Sequence, residues 1–420
     1  MLHTSLPFSA RAAGERAVIG VRVTSDVKHV FAALVSVNGS GLASRGRIDQ
    51  KLRAELPPDA AAIYRKLQHA GGIPPAALTQ LGAMLAEAQA PPVRQLLADA
   101  KPQPLVAGIY DPGLWHLPED GPATFVGLTD TARLAELTDL SVLDAFPARD
   151  LAHGGAGGPV LAIPTWLLAA DTHRRRILVD LGRTARITVL PATAEPQSTA
   201  AVFATDAGPG TALLDELTRR LTEGRYEHDP GGRLAVQGRQ IAPLLERLLE
   251  APSFQEPAPR WNPLGVSPQW FLDEGIGHAL KSGHSLRDLL CTATHLIAEA
   301  VAAAVRRCTA AGDSTTELVL TGGGVHNGLL LREIANRLRG LPQTRIGSLG
   351  IDPQWLEAAA TAMLCVLHVD HVPATHPLIS GITAPRVLGR LTPGAPHHWQ
   401  RLLGHLTEGR PATMSLRSAV

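Results

Sequence analysis

The chain has 420 residues, 39 Lys and Arg against 38 Asp and Glu, and a hydrophobic fraction of 45%, which is the balance of a globular protein large enough for two domains. A net charge of +1 without a basic stripe excludes a typical nucleic-acid binder, and Arg174-Arg175-Arg176 reads as the solvated end of a helix. Cys291, Cys308 and Cys365 are too far apart for a zinc site and read as free thiols of a reducing compartment.

The opening residues lack the long apolar run of a signal peptide. The apolar stretch from Pro159 to Asp171 is too short, and too interrupted by Pro164, to cross a bilayer. A cytoplasmic protein with no membrane partner and no bound structural metal is expected.

In chain order, AVIGVRVTS and VFAALVSVNG predict a β-hairpin over residues 17–40. Apolar residues three and four apart predict helices over Ala60–His69 and Pro75–Ala90. RILVDLGRTARITVL predicts a second strand-turn-strand over 176–190, so each half opens alike, as a loose internal repeat or as two unrelated hairpins. Helices are expected from Thr211 to Gly224 and over 239–250. The longest helix begins after Ser285 as N-cap, with Asp288 in the capping-box position, and runs to Cys308. Past Pro373 the chain is rich in proline and promises few long elements.

Three loops carry residue types suited to ligands. In ELVLTGGGVHNGLLL a strand runs through Gly322, Gly323 and Gly324 into a helix, with Asn327 placed to cap it or to meet a ligand; a tight turn and a nucleotide site are equally compatible with this. In FATDAGPGTALLD, Asp206 ends a strand just before Gly208-Pro209-Gly210, where a carboxylate serves as a general base or as a helix cap. In ARDLAHGGAGGPV, Arg149 and Asp150 precede Gly154 and Gly155, which is either a hinge or a backbone seat for a ligand, with Arg149 suited to fork onto a carboxylate.

Taken together, from about residue 18 to 392, these motifs resemble the anhydro-N-acetylmuramic acid kinase family. RDLAHGGAGGPV is similar to the family's RD-x-A-x-GGQGAPL, and TDAGPGTALLD to FD-x-GPGN-x-L-x-D. TGGGVHN is similar to CGGG-x-x-N, and YEHDPGGRLAVQG to a DxDG-x-x-A-x-x-G run. WLEAAATAML resembles the late EA-x-AFA helix, and PLISGITAPRVLG the closing TGA-x-x-x-x-LG.

The resemblance implies an α/β protein of the two-lobed actin/hexokinase-like (ribonuclease H-like) ATPase fold with an interlobe cleft. Its first lobe would cover 17–145 and its second 146–372, with 373–420 returning to the first. It implies a cytoplasmic homodimer of peptidoglycan recycling that uses ATP and Mg²⁺ on a small amino sugar. Asp206 falls on the aspartate that activates water against the anomeric carbon of the 1,6-anhydro bridge, while the freed O6 takes the γ-phosphoryl. Thr24, Ser25, Asp26, Gly182, Gly208, Gly210, Gly322, Gly323, Gly324 and Asn327 fall in nucleotide-binding segments. Arg149, Asp150, Gly154 and Gly155 fall in the substrate-binding loop.

The chain departs from that pattern at several places. The family's GTS-x-DG is here Val23-Thr24-Ser25-Asp26-Val27-Lys28, without either glycine. Its NIGG-x-x-N is Asp180-Leu181-Gly182-Arg183-Thr184-Ala185-Arg186. On the sugar side, HGQT has become the Tyr110–Trp115 stretch, DFR has become Ala145-Phe146-Pro147, and PKSTGRE spans Arg260–Val266. Losing one phosphate-positioning donor commonly costs about 10²–10³ in rate. Two readings therefore stand: an ATP-dependent sugar kinase, and a pseudokinase that keeps the site to bind a ligand or partner. Free backbone N–H groups in the turns at 23–28 and 180–186, and an Asp206 carboxylate facing open space, are expected of the kinase.

Overall fold

The computed structural model describes residues 15–68, 74–118, 120–194, 201–256, 260–277, 279, 282–309 and 315–407. The leader stretch, His69 and the tail beyond Thr407, on which the sequence also bears, lie outside these residues. The strands are β1 (Arg16–Val23), β2 (His29–Asn38), β3 (Arg45–Glu55), β4 (Ala107–Tyr110), β5 (Leu114–His116), β6 (Thr124–Val126), β7 (Val142–Asp144), β8 (Arg175–Leu181), β9 (Thr184–Leu190), β10 (Phe203–Pro209), β11 (Thr316–Thr321), β12 (Gln343–Arg345) and β13 (Arg390–Thr392).

The protein is mixed α/β, with one main sheet ordered β13-β7-β4-β1-β2-β3 and another ordered β10-β9-β8-β11-β12. In the first, β1, β2 and β3 form an antiparallel meander, and β4 then β7 add in parallel on the other side of β1. In the second, β8, β9 and β10 form the meander, and β11 then β12 add in parallel beside β8. Both sheets thus share the 3-2-1-4-5 order of the ribonuclease H-like fold. The internal repeat that the two hairpins suggested extends to five strands.

The chain divides into two compact units, the first made of 1–168, 355–377 and 381–420 and the second of 169–354 with 378–380. This differs from the expected boundary at 145/146: the Arg149–Gly158 loop and the helix Leu356–Val369 both pack within the first unit. The physical reason lies at Gly20 on β1. A Cβ there would stand 1.9 Å from the carbonyl oxygen of Ala358, so the missing side chain lets the helix backbone lie directly on the strand. That helix is apolar nearly all round and buried along almost its whole length, which a helix covering a sheet requires.

In the first unit, β1 and β2 are buried on both faces, while β3 alternates half-buried and exposed residues and carries charge along the sheet edge. The helix over Pro75–Asp99 continues through Pro91 and Pro92 instead of stopping at Ala90, because Leu81, Leu85, Val93 and Leu96 fill the core on both sides of the prolines. After Pro373 the chain forms β13 and a twelve-residue helix, Pro396–Thr407, longer than the proline content suggested.

The second unit is built round the helix Leu286–Cys308, where Ser285 caps the amide of Asp288 as the sequence indicates. Among the described residues this helix, and not 159–171, is long and apolar enough to span a bilayer, yet 78% of its most apolar window is buried inside the protein. It is a core helix. Burial raises the thiols of Cys291 and Cys308 on it above the ordinary range.

Candidate active site

Register places four side chains in one row on the second sheet. Asp206 on β10 pairs with Arg186 on β9, Arg186 with Asp180 on β8, and Asp180 with Thr321 on β11. Laterally paired residues point to the same face of a sheet, so an acid, a base, an acid and a hydroxyl stand side by side.

The Nε of Arg186 donates to Oδ1 of Asp206 at 2.8 Å, and the backbone N–H of Asn262 donates to Oδ2 at 3.0 Å. The guanidinium lies over the ring of Trp261, 4.2 Å from its centroid, a contact worth about 0.5–2 kcal/mol. Asp206 is 3% exposed. It neither faces open space nor caps the following helix, whose N-cap is Gly210. A carboxylate offers about four acceptor positions, and these two bonds leave each oxygen one.

The segment 260–262 makes this arrangement by running along the edge strand β10. Asp206 N–H donates to Arg260 O at 2.8 Å and Arg260 N–H to the Thr205 hydroxyl at 2.9 Å. The Arg260 guanidinium is committed to the carbonyls of Ser253 and Ala207, and burial lowers its affinity for its proton. A pocket of about 220 Å³ opens here, its walls including Asp206, Ser253, Arg260, Trp261, Trp270 and Phe271. Ser253 Oγ and Trp261 Nε1 are buried atoms with no hydrogen-bond partner among the described residues.

The glycines assigned to nucleotide binding converge beside this row. A Cβ on Gly210 would stand 2.2 Å from Gly182 O, so the start of the helix Thr211–Leu221 sits against the β8–β9 turn. The amides of Gly210 and Ala212 donate to Arg183 O, and that of Thr211 to Gly182 O. The helix N-terminus is therefore spent on the turn's carbonyls. Gly322 has φ +83°, and its Cβ would fall 2.3 Å from an Asp180 carboxylate oxygen; Gly324 packs on Leu181; Gly323 has no neighbour within 4 Å of a Cβ. Asn327 accepts from Leu330 N–H at 3.0 Å and is a helix cap. Gly208 packs against Phe254 and Ala300. Among the described residues no acceptor takes the amides of Gly182 and Arg183.

In the first unit, the turn at 23–28 closes on itself. The Thr24 hydroxyl donates to Asp26 Oδ1 at 2.6 Å and accepts from the amides of Lys28 and His29. The Val27 amide donates to Thr24 O. Val27 adopts φ +54°, a left-handed conformation costing a β-branched residue about 1–2 kcal/mol, and its buried side chain holds it there. Ser25 and Asp26 are exposed.

Asp150 is fully buried and accepts the Gly157 amide at 2.8 Å, with Gly155 packed on its carboxylate, so it braces the glycine loop. Gly154 lies in the open with φ +81°. The exposed side chain of Arg149 makes no hydrogen bond or ion pair with a described residue. Nearby stretches hold polar groups that sequence reading passed over. Asp111 accepts the amides of Gly113, Leu128 and Thr129, and Asp144 takes a bidentate contact from Arg390. The Tyr64 hydroxyl is pushed up to about 12 by burial, with Asp111 adding to the effect.

Sequence reasoning separated Asp206, Arg186 and the 260–266 segment into three motifs. Strand alternation and hairpin register were the signals available for joining the first two; the third required the loop to run beside β10.

A family model described as anhydro-N-acetylmuramic acid kinase matches residues 26–394. A relative of that name from Nitrosospira multiformis is 32% identical over 318 residues, covering 74% of this chain and 82% of its own. Another of the same name, from Salinibacter ruber, is 30% identical over 392 residues, covering 91% and 97%. Among solved structures, the (R)-2-hydroxyglutaryl-CoA dehydratase component A of Acidaminococcus fermentans aligns over 83% of this chain and 96% of its own, at 11% identity and a TM-score of 0.39.

Proposed function

Because the chain belongs to the anhydro-N-acetylmuramic acid kinase family, we propose that it opens and phosphorylates 1,6-anhydro-N-acetylmuramic acid, or a closely related anhydro amino sugar, with ATP. In this reading Asp206 takes a proton from water as the water oxygen bonds to the anomeric carbon. The bond from that carbon to O6 breaks, O6 bonds to the γ-phosphorus, and ADP leaves. The products are the sugar 6-phosphate and ADP. The observation that carries the reading is the Asp206 carboxylate, fixed by Arg186 and Asn262 at the wall of a pocket yet with an acceptor position left on each oxygen. The unpartnered Ser253 Oγ and Trp261 Nε1, beside the Trp270 ring, suit the hydroxyls and apolar face of a sugar.

Among the described residues no group of three His, Cys, Asp or Glu is arranged to hold a metal ion. In this reading Mg²⁺ would arrive with the nucleotide, held largely by its phosphates, whose charge it neutralises.

The test is ADP release with ATP, Mg²⁺ and the anhydro sugar, beside Asp206→Asn. Turnover in the wild type that falls by about 10²-fold or more in the variant supports the reading. A wild type without turnover refutes it.

One observation favours a second reading, a ligand-binding protein that has given up the reaction: the turn at 23–28 uses the amides of Val27, Lys28 and His29 internally. Sugar binding by calorimetry without any ATP binding is the outcome that reading requires.

A further inference from the structure

We propose that Arg186 contacts the phosphoryl groups of the nucleotide through its side chain; this rests on the kinase reading above. Where the family pattern has the asparagine of NIGG-x-x-N, this chain has an arginine whose orientation is already fixed. Its Nε is bonded to Asp206 at 2.8 Å and its plane rests on Trp261. Neither terminal nitrogen donates to a described residue, and the side chain keeps 24% of its surface exposed. A planar fork with two unspent nitrogens matches a pair of phosphoryl oxygens, and a fork held in advance loses little freedom on binding.

The neighbours fit this role. The β8–β9 turn, three residues before Arg186, has the amides of Gly182 and Arg183 without an acceptor among the described residues. Asp206, the carboxylate assigned to water activation, is one hydrogen bond from the guanidinium, so a phosphoryl group held by Arg186 stands close to the reacting centre. The arginine also offsets the charge of Asp206 and of Asp180 in the same row, charge that would otherwise repel the phosphates. Arg183, the other arginine of the hairpin, is exposed and has no comparable brace.

The experiment measures binding of ADP, inorganic tripolyphosphate and adenosine to the full chain by calorimetry, for wild type, Arg186→Gln and Arg183→Ala, with thermal melts confirming folding. Glutamine can still donate to Asp206 but lacks the charged fork. The expected result is a loss of about tenfold or more in ADP and tripolyphosphate affinity for Arg186→Gln, with adenosine affinity unchanged and Arg183→Ala within about twofold of wild type. A folded Arg186→Gln protein with wild-type ADP affinity overturns the inference, as does a wild type that binds no polyphosphate.

A second measurement needs no variant. ADP, and not adenosine, is expected to protect Arg186 from phenylglyoxal as followed by mass spectrometry; equal modification with and without ADP overturns the inference. Sugar-dependent turnover alongside an indifferent Arg186→Gln protein removes this inference and keeps the kinase reading. Arg186-dependent polyphosphate binding without turnover does the reverse.

Discussion

Arg16, at the start of β1, grips Asp370, just past the helix Leu356–Val369, with both terminal nitrogens at 2.6 Å and 3.0 Å. The same carboxylate accepts the Gly41 amide at 2.7 Å, and Arg16 also reaches Gly39 O and His405. One ion pair thus joins the first strand, the loop after β2, the helix covering the sheet and the C-terminal helix. Burial alone would push Asp370 up, but hydrogen bonds from His405, Arg16 and Gly41 outweigh it and hold the carboxyl far below the usual carboxylate range.

Asp370→Asn is expected to destabilise the protein by about 3 kcal/mol, since it leaves a buried guanidinium without its counter-charge. A carboxyl depressed by folding gives stability that is fully present above its unfolded value near 4 and is lost as pH falls toward the folded value. Denaturant titrations at several pH values should therefore show the gap between wild type and variant at neutral pH and see it narrow below about pH 4. A gap independent of pH would show that the charge contributes nothing.

Gly322 and Gly323 are adjacent, and equally glycine to a sequence reader, but the fold treats them differently. A Cβ on Gly322 would meet Asp180, Leu181 and Gly182 within 2.8 Å from a positive φ, whereas one on Gly323 meets nothing within 4 Å. Gly322→Ala should lower stability by about 2 kcal/mol or more, and Gly323→Ala by under about 1. Thermal melts of the two variants decide it, and equal melting temperatures would refute the packing described for this turn.

How much the sequence shows depends on whether a feature is periodic. The β1–β2 and β8–β9 hairpins and the Ser285 cap were legible because apolar runs and capping residues announce them locally, whereas Asp206, expected to end its strand, lies inside β10, which runs on through a register shift to Pro209. β3 was passed over: Arg45–Glu55 alternates exposed charged residues with half-buried Gly46, Ile48, Gln50, Leu52 and Ala54, a period-2 pattern whose inner face holds only two large apolar residues. The unit boundary was hidden because Leu356–Val369 returns to β1 across some 330 residues of chain, a contact visible locally only as one glycine. The Arg186–Asp206–Trp261 brace needs the β9–β10 register and a loop lying along an edge strand, neither of which has a local signature.

Cys308 is half-buried, while Cys291 and Cys365 are buried, and burial drives the Cys365 thiol far above its ordinary range. Thiolate is the reactive form, so a thiol reagent under native conditions should label Cys308 first and reach Cys365 only on unfolding. Peptide mapping after brief labelling checks the order. Early labelling of Cys365 would contradict the packing of its helix on the sheet.

Gly20 and Gly108 are register partners on β1 and β4 beneath the same helix. An added Cβ at Gly20 meets the Ala358 and Ala362 backbone, and at Gly108 it first meets the Cys365 sulfur. Backbone cannot swing aside, so Gly20→Ala should destabilise more than Gly108→Ala. Cys365→Ala should rescue part of the loss at Gly108 and none at Gly20, as read from melting temperatures of the double variants.

The return of Leu356–Val369 to β1 also sets an order of events at the ribosome. The sheet containing β1 and β2 is made first but lacks its covering helix until residue 369 has emerged, and β13 joins its edge only after residue 392. The intervening unit, complete at Gln354 but for three residues, has every strand of its sheet before its older neighbour does. During synthesis the N-terminal sheet therefore waits with an apolar face uncovered while the later-made unit can already close, which makes residues 16–38 the segment most in need of chaperone protection on the nascent chain.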